Sequence, residues 1–171
     1  MKKFLILSFA LIMGNLTLAA ATPNDSWLDL RTANSNGLTG PSFAFSMDSG
    51  LMFQYAMLDA GAAEADIMSV GWRWSDEMNE NSVWDFSLGY KNQSGDGSFM
   101  GDDTSALWEV GIRSMVTDRL EIRFSYAGTF DASESTAAEE TWDFGYYLTD
   151  SLSFRVLDAA GVTSAGIRMD F

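Results

Sequence analysis

The side chains best equipped for chemistry are Arg73, Asp85, Lys91, Glu109, Arg113, Glu121, Arg123, Asp143, Arg155, Arg168 and Asp170. Almost all of them sit between large apolar neighbours, as in Trp72-Arg73-Trp74 and Trp142-Asp143-Phe144. Charges of both signs in an enclosed space can do two things. They can pair with one another as a structural network, or they can line a path for a small polar or ionic solute.

Catalysis is poorly served by this inventory. The chain has no His and no Cys. That removes Ser-His-Asp triads, thiolate nucleophiles, Cys-based zinc sites and the commonest neutral-pH general base. Asp102-Asp103 is an adjacent carboxylate pair without a recognisable partner, so no hydrolase site and no catalytic residue is assigned. The acidic stretches 59–66, 96–103 and 131–140 have oxygen ligands suited to Ca²⁺ or Mg²⁺, or are simply solvated loops. Their spacing matches no EF-hand loop, so no metal ligand and no cofactor is expected. Phe99-Met100, an apolar pair inside the second stretch, is a weak hint of a binding tip. With 10 Lys and Arg against 24 Asp and Glu, a formal charge of −14, a nucleic-acid partner is not expected either.

The elements that carry these charges are strands. From residue 22 onward, apolar and polar residues alternate with period two, and helical stripes are hard to find. Leu120, Ile122, Phe124 and Tyr126 share one face, with Glu121, Arg123 and Ser125 on the other. Trp84, Phe86, Leu88 and Tyr90 alternate with Asp85, Ser87, Gly89 and Lys91. Pattern counting gives ten candidate strands, at 27–32, 41–47, 51–58, 66–75, 82–91, 105–115, 119–130, 140–148, 152–158 and 163–171. Chain length alone fits eight, and the first two candidates are the weakest.

Tight turns are expected at 116–118 and 149–151, with 48–50 as a third, and longer polar connections at 59–64, 92–104 and 131–140. Short turns alternating with longer loops imply an antiparallel meander with two unequal ends. If the 116–118 turn sets the pairing, Arg113 lies opposite Glu121, and Gly111 lies opposite Arg123 with Glu109 diagonal to it. In the next hairpin Gly145 lies opposite Arg155, with Asp143 diagonal. A glycine opposite each arginine leaves room for a long side chain in a narrow lumen.

Alternation does not say which face is inside. A soluble barrel turns its apolar face inward, and a membrane barrel turns it outward. The apolar face here is rich in aromatics, with Trp72, Trp74 and Trp84 towards one end and Trp108, Phe130 and Trp142 towards the other. These are candidate interfacial girdles. Ser164-x-Gly166-x-x-Met169-x-Phe171 resembles the ending of bacterial outer-membrane β-barrel proteins. With the alternating body and the leader described next, the chain resembles the small-barrel class of OmpA-like and OmpX-like proteins. The resemblance implies a closed antiparallel transmembrane β-barrel, with Ser164, Gly166, Met169 and Phe171 as the signal read by the barrel assembly machinery. It also implies contact with outer-membrane lipid and lipopolysaccharide. The small-barrel enzymes of this architecture rely on a His, so their activity does not carry over.

Residues 1–21 read as a signal peptide: Met1-Lys2-Lys3, an apolar run, then Ala19-Ala20-Ala21. Residues 22–171 are then one barrel domain in a bacterial outer membrane. The expected function is a non-enzymatic structural or surface-interaction role, with the lumen filled by salt bridges. The alternative is a narrow pore for small solutes or ions.

Overall fold

A computed structural model describes residues 25–35, 37–61, 64–95, 103–130, 138–159 and 162–171. The expected leader, Phe99, Met100, Asp102 and much of the acidic stretches 96–103 and 131–140 lie outside the described residues.

Ten strands form, in chain order: β1 (Trp27–Ser35), β2 (Leu38–Ser46), β3 (Leu51–Asp59), β4 (Glu64–Asn79), β5 (Ser82–Gly95), β6 (Asp103–Met115), β7 (Leu120–Thr129), β8 (Glu139–Thr149), β9 (Leu152–Ala159) and β10 (Val162–Asp170). Each pairs antiparallel with its sequence neighbours, and β1 pairs with β10 from Trp27↔Asp170 to Ser35↔Val162. That last ladder closes the sheet, so no edge remains with unpaired backbone groups. The count is ten, not eight. β1 looks weak in the sequence because its outward positions, Leu28, Leu30, Thr32 and Asn34, carry no aromatic ring. Its hydrogen bonds to β2 and β10 make it indispensable all the same.

The start of β1 and the end of β10 lie at one end of the barrel, with the connections at 47–50, 80–81, 116–119 and 150–151. This is the turn end. The other, loop end carries three longer connections, but also two of only two residues, 36–37 and 160–161. Strand length varies to match: β4 has 16 residues and β9 has 8. Staggering of this kind is what closing a tilted sheet requires.

One register differs from expectation. Met115 pairs with Glu121, so Arg113 faces Arg123 and Gly111 faces Ser125. The turn is longer than three residues because Val116 N donates to Leu120 O at 2.8 Å and the Thr117 hydroxyl accepts from the amides of Arg119 and Leu120 at 3.3 and 3.1 Å. The shift is an even number of residues, so no side chain changes face. Gly145 does face Arg155.

The apolar face is outside. Trp72, Trp74, Val110, Ile112, Phe144 and Ile167 are among many large apolar side chains left exposed on the barrel wall. Arg113, Arg155, Glu121, Asp85 and Asp143 are among the most buried side chains of the molecule. A water-soluble barrel would reverse this arrangement, whereas a barrel surrounded by hydrocarbon requires it. Among the described residues no helix is long and apolar enough to cross a membrane, so any crossing would be made by the strands.

Candidate functional site: the barrel lumen

Because neighbouring strands pair in register all the way round, every second residue of each strand points into one shared lumen. Its contents change along the barrel axis. From the turn-end mouth to mid-height it is filled by arginines and carboxylates in two clusters.

Arg155 is 0% exposed and reaches Glu121 at 2.7 Å and Asp143 at 3.0 Å. Asp143 also meets Arg31 at 2.9 Å and Arg168 at 3.3 Å, so three guanidinium groups converge on one carboxylate. Arg31 and Arg168 share Asp29 as well, at 2.5 and 3.0 Å. The Arg168 guanidinium lies 4.3 Å over the Trp27 ring, a cation–π contact inside the barrel. The Tyr147 hydroxyl bridges Glu121 and Asp170 at 3.2 and 2.9 Å.

A second cluster occupies the β4–β7 side. Arg113 donates to Asp85 at 2.9 Å, and Ser75 donates to the same carboxylate at 2.8 Å. Arg123 meets Glu109 at 3.0 Å and Asp85 at 3.7 Å. The Ser125 hydroxyl donates to Glu109 at 2.6 Å. Asp25, just before β1, enters this cluster from the turn-end mouth. Its carboxylate pairs with Arg113 and with Arg73, the latter at 3.2 Å.

Towards the loop end the inward positions become small or apolar. Ala33, Leu38, Leu58 and Ala65 form a buried patch against which Ile67 packs. A cavity of about 410 Å³ opens here, bounded by residues such as Ala56, Leu107, Ala127 and Leu157. Arg31, Arg73, Glu109, Arg123, Asp143 and Arg168 also border it, as its charged floor. Lys91 stands higher on the wall, 3.9 Å from Asp103.

All eleven charged residues singled out from the sequence therefore face the lumen, and ten of them belong to the turn-end and mid-height clusters. Lys91 does not. Glu109 does meet Arg123 across β6–β7, at 3.0 Å, but it stands opposite Ala127, four residues along β7 from Arg123, and not at the two-residue diagonal of the expected register. Gly145 makes room for an arginine: a Cβ there would lie 2.2 Å from Arg155 Nη1. Gly111 does not; a Cβ there would meet the Ser125 Cβ at 2.7 Å.

Three inward charges were missed: Asp25, Asp29 and Arg31. The alternation Leu28-Asp29-Leu30-Arg31 was signal enough for two of them. Asp25 precedes the first strand, and no periodicity reaches it.

The six girdle residues lie on the outer wall. Trp74 and Trp84 fall in the turn-end parts of β4 and β5, while Trp108, Phe130 and Trp142 fall on the loop-end side. Trp72 is at the middle of β4 yet level with the β2–β3 turn, where Arg73 N donates to Gly50 O at 2.7 Å. In β10, Ser164 and Gly166 face inward and Met169 faces outward. Phe171, at 71% exposed, ends the chain with its amide donated to Ser26 O at 3.1 Å.

No family model and no curated protein matches the chain. Among solved structures the chain is similar to a KdgM porin, with 12% identity, a TM-score of 0.50, and coverage of 85% of this chain and 99% of that one. A KdgM porin in complex with disordered oligogalacturonate is similar at 8% identity, with a TM-score of 0.48 and the same coverage. The likeness to the first is one of fold: a closed antiparallel barrel spanning nearly the whole of that porin.

Proposed function

We propose that the protein is a narrow outer-membrane pore for small polar or ionic solutes. Solute enters through the loop-end vestibule and meets its barrier at the charged layer near the turn end. The observation that carries this reading is the cavity of about 410 Å³ inside the lumen, whose floor is made of charged side chains rather than a packed apolar core. A lumen cavity of that size over a charged floor serves water and ions, and the fold is shared with a porin.

The surroundings fit an outer membrane. The outer wall is apolar and aromatic over mid-height, as lipid contact requires. Every Lys and Arg after residue 22 except Arg119 belongs to the inward face. The outer loop-end rim instead carries Asp66 and Glu140, bonded by Tyr55 and Tyr126 at 3.1 and 3.0 Å. Contact with phosphate-rich lipopolysaccharide would then run through divalent cations bridging carboxylate to phosphate rather than through arginine. A cleaved leader ending at Ala21 and recognition of the β10 ending by the assembly machinery belong to the same reading.

A second reading, a closed barrel with a structural or surface-interaction role, is favoured by how completely the turn-end charges are paired. Planar-bilayer recording of the refolded protein separates the two. The pore reading expects reproducible unitary steps that change when Arg123 or Glu109 is neutralised. A silent protein, correctly folded by its gel shift on boiling, would leave the closed barrel standing.

A further inference from the structure

We propose that Asp25 is a cis-acting counter-ion that sets the charge selectivity of the pore by occupying an arginine site at its turn-end mouth; this rests on the pore reading above. Asp25 is not part of the barrel wall. It belongs to the short lead-in before β1, and Ser26 holds that lead-in across the mouth. The Ser26 hydroxyl donates to Asp48 Oδ1 at 2.6 Å and accepts from the Asp48 amide at 2.9 Å, tying it to the β2–β3 turn. The Ser26 carbonyl accepts from the Phe171 amide at 3.1 Å, tying it to the chain end.

So held, Asp25 points its carboxylate at Arg113 and Arg73. Its backbone carbonyl accepts a further bond from Arg73 Nη2 at 2.6 Å. The wall itself provides Asp85 for Arg113, and Asp85 is also approached by Arg123 at 3.7 Å. The ion pair of Arg73 is with Asp25. Without that carboxylate the β4–β7 cluster holds three guanidinium groups, of Arg73, Arg113 and Arg123, against two carboxylates, of Asp85 and Glu109, in a confined space where fixed charges decide which ions are concentrated. With it, that cluster is balanced. The two arginines are almost fully buried, but the Asp25 side chain is 37% exposed and so open to water at the mouth. A wall carboxylate would be a fixed part of the barrel. A carboxylate on a tethered lead-in can be withdrawn without disturbing a single ladder hydrogen bond.

The test uses the full barrel in planar bilayers under a KCl gradient, comparing wild type, Asp25→Asn and Asp25→Glu. Asp25→Asn should raise the chloride-to-potassium permeability ratio at least about threefold, since one fixed negative charge leaves the constriction. Asp25→Glu should keep the wild-type ratio. A wild type that is silent beside a conducting Asp25→Asn would overturn the inference, since the native barrel would then have no selectivity for Asp25 to set. If both conduct with the same permeability ratio, the inference fails and the pore reading stands. If neither conducts although both fold, the pore reading fails and takes the inference with it. Should Asp25→Asn not fold, Ser26→Ala serves instead. It releases the tie to the β2–β3 turn, keeps the backbone bond to Phe171 and leaves every lumen charge in place, and should shift the ratio in the same direction by less. An unchanged ratio in Ser26→Ala would then overturn the inference.

Discussion

Arg113, Glu121, Asp143 and Arg155, in the lower and middle lumen, are each 0–1% exposed, while inward positions near the loop end carry Ala33, Ala56, Ala127 and Leu157 around an open cavity. Both halves obey the same rule, that every second residue of a strand faces inward. What differs is side-chain length. Arginine and glutamate reach far enough into the lumen to meet partners on strands that are not their neighbours, as Arg155 of β9 meets Glu121 of β7 past β8. Alanine does not reach, so the space stays open. In this lumen the choice between closed and open is therefore made by residue type at inward positions, and the strand scaffold stays the same.

The largest expected effect comes from opening the closed half. Arg155→Ala removes the nearer of the two arginines that Glu121 and Asp143 share, leaving Arg168 at 3.8 and 3.3 Å, and so leaves two buried carboxylates with reduced compensation. The expected cost is about 3–5 kcal/mol. It should appear as a large fall in the urea midpoint in detergent. A midpoint within error of wild type would mean that water reaches this layer, and the two halves would then not differ as described.

Next is Gly145→Ala, which adds a methyl group where Arg155 Nη1 already stands, at a distance of 2.2 Å. The guanidinium must move off its two carboxylates, at a cost of about 1–3 kcal/mol for overpacking. Gly111→Ala is an informative companion, because its methyl would press on Ser125 and not on an arginine. Equal effects of the two substitutions would show that backbone crowding, and not displacement of the ion pair, is being measured.

Arg123→Ala probes the boundary between the halves. Arg123 and Glu109 keep side-chain exposures of 18% and 23% on the cavity floor, unlike the dry pair above. Partly hydrated pairs contribute less, so the expected loss is about 1–2 kcal/mol, with Glu109 and Asp85 as the groups left under-paired. Glu121, two residues from Arg123 on the same inward face of β7, pairs with Arg155 instead, so adding Glu121→Gln to Arg123→Ala should not restore the wild-type midpoint.

Much of this barrel was legible because period two is a direct consequence of strand geometry. Strand number, the outward apolar face and the inward position of the eleven charges all follow from parity. Parity survives a two-residue slip, which is why the faces read correctly while Arg113 was matched to Glu121 instead of Arg123. The slip depends on the Thr117 hydroxyl capping two amides, a local choice that alternation does not record. β1 reads weakly in the sequence because its outward positions carry no aromatic ring and its one aromatic, Trp27, points inward beneath Arg168. The Asp25 site lay beyond any periodic signal, since a lead-in residue has no face to be assigned to. Function was harder still. The same charges describe a sealed network or a path, and only the shape of the space above them, the loop-end cavity, favours the path.

The smallest expected effect tests that space directly. Ala127 faces inward, opposite Glu109, and borders the cavity. Ala127→Leu adds a branched side chain to a region that has room for it, so the urea midpoint should change by less than about 1 kcal/mol. Conductance should fall by less than about twofold, because in two resistances in series the narrower, charged layer dominates and the vestibule contributes little. Neutralising the charged layer through Asp25 should then change current and selectivity far more than filling the vestibule does. A collapse of conductance in Ala127→Leu would put the barrier at the loop end, and the buried patch of Leu38 and Leu58 on the facing wall would become the constriction to examine.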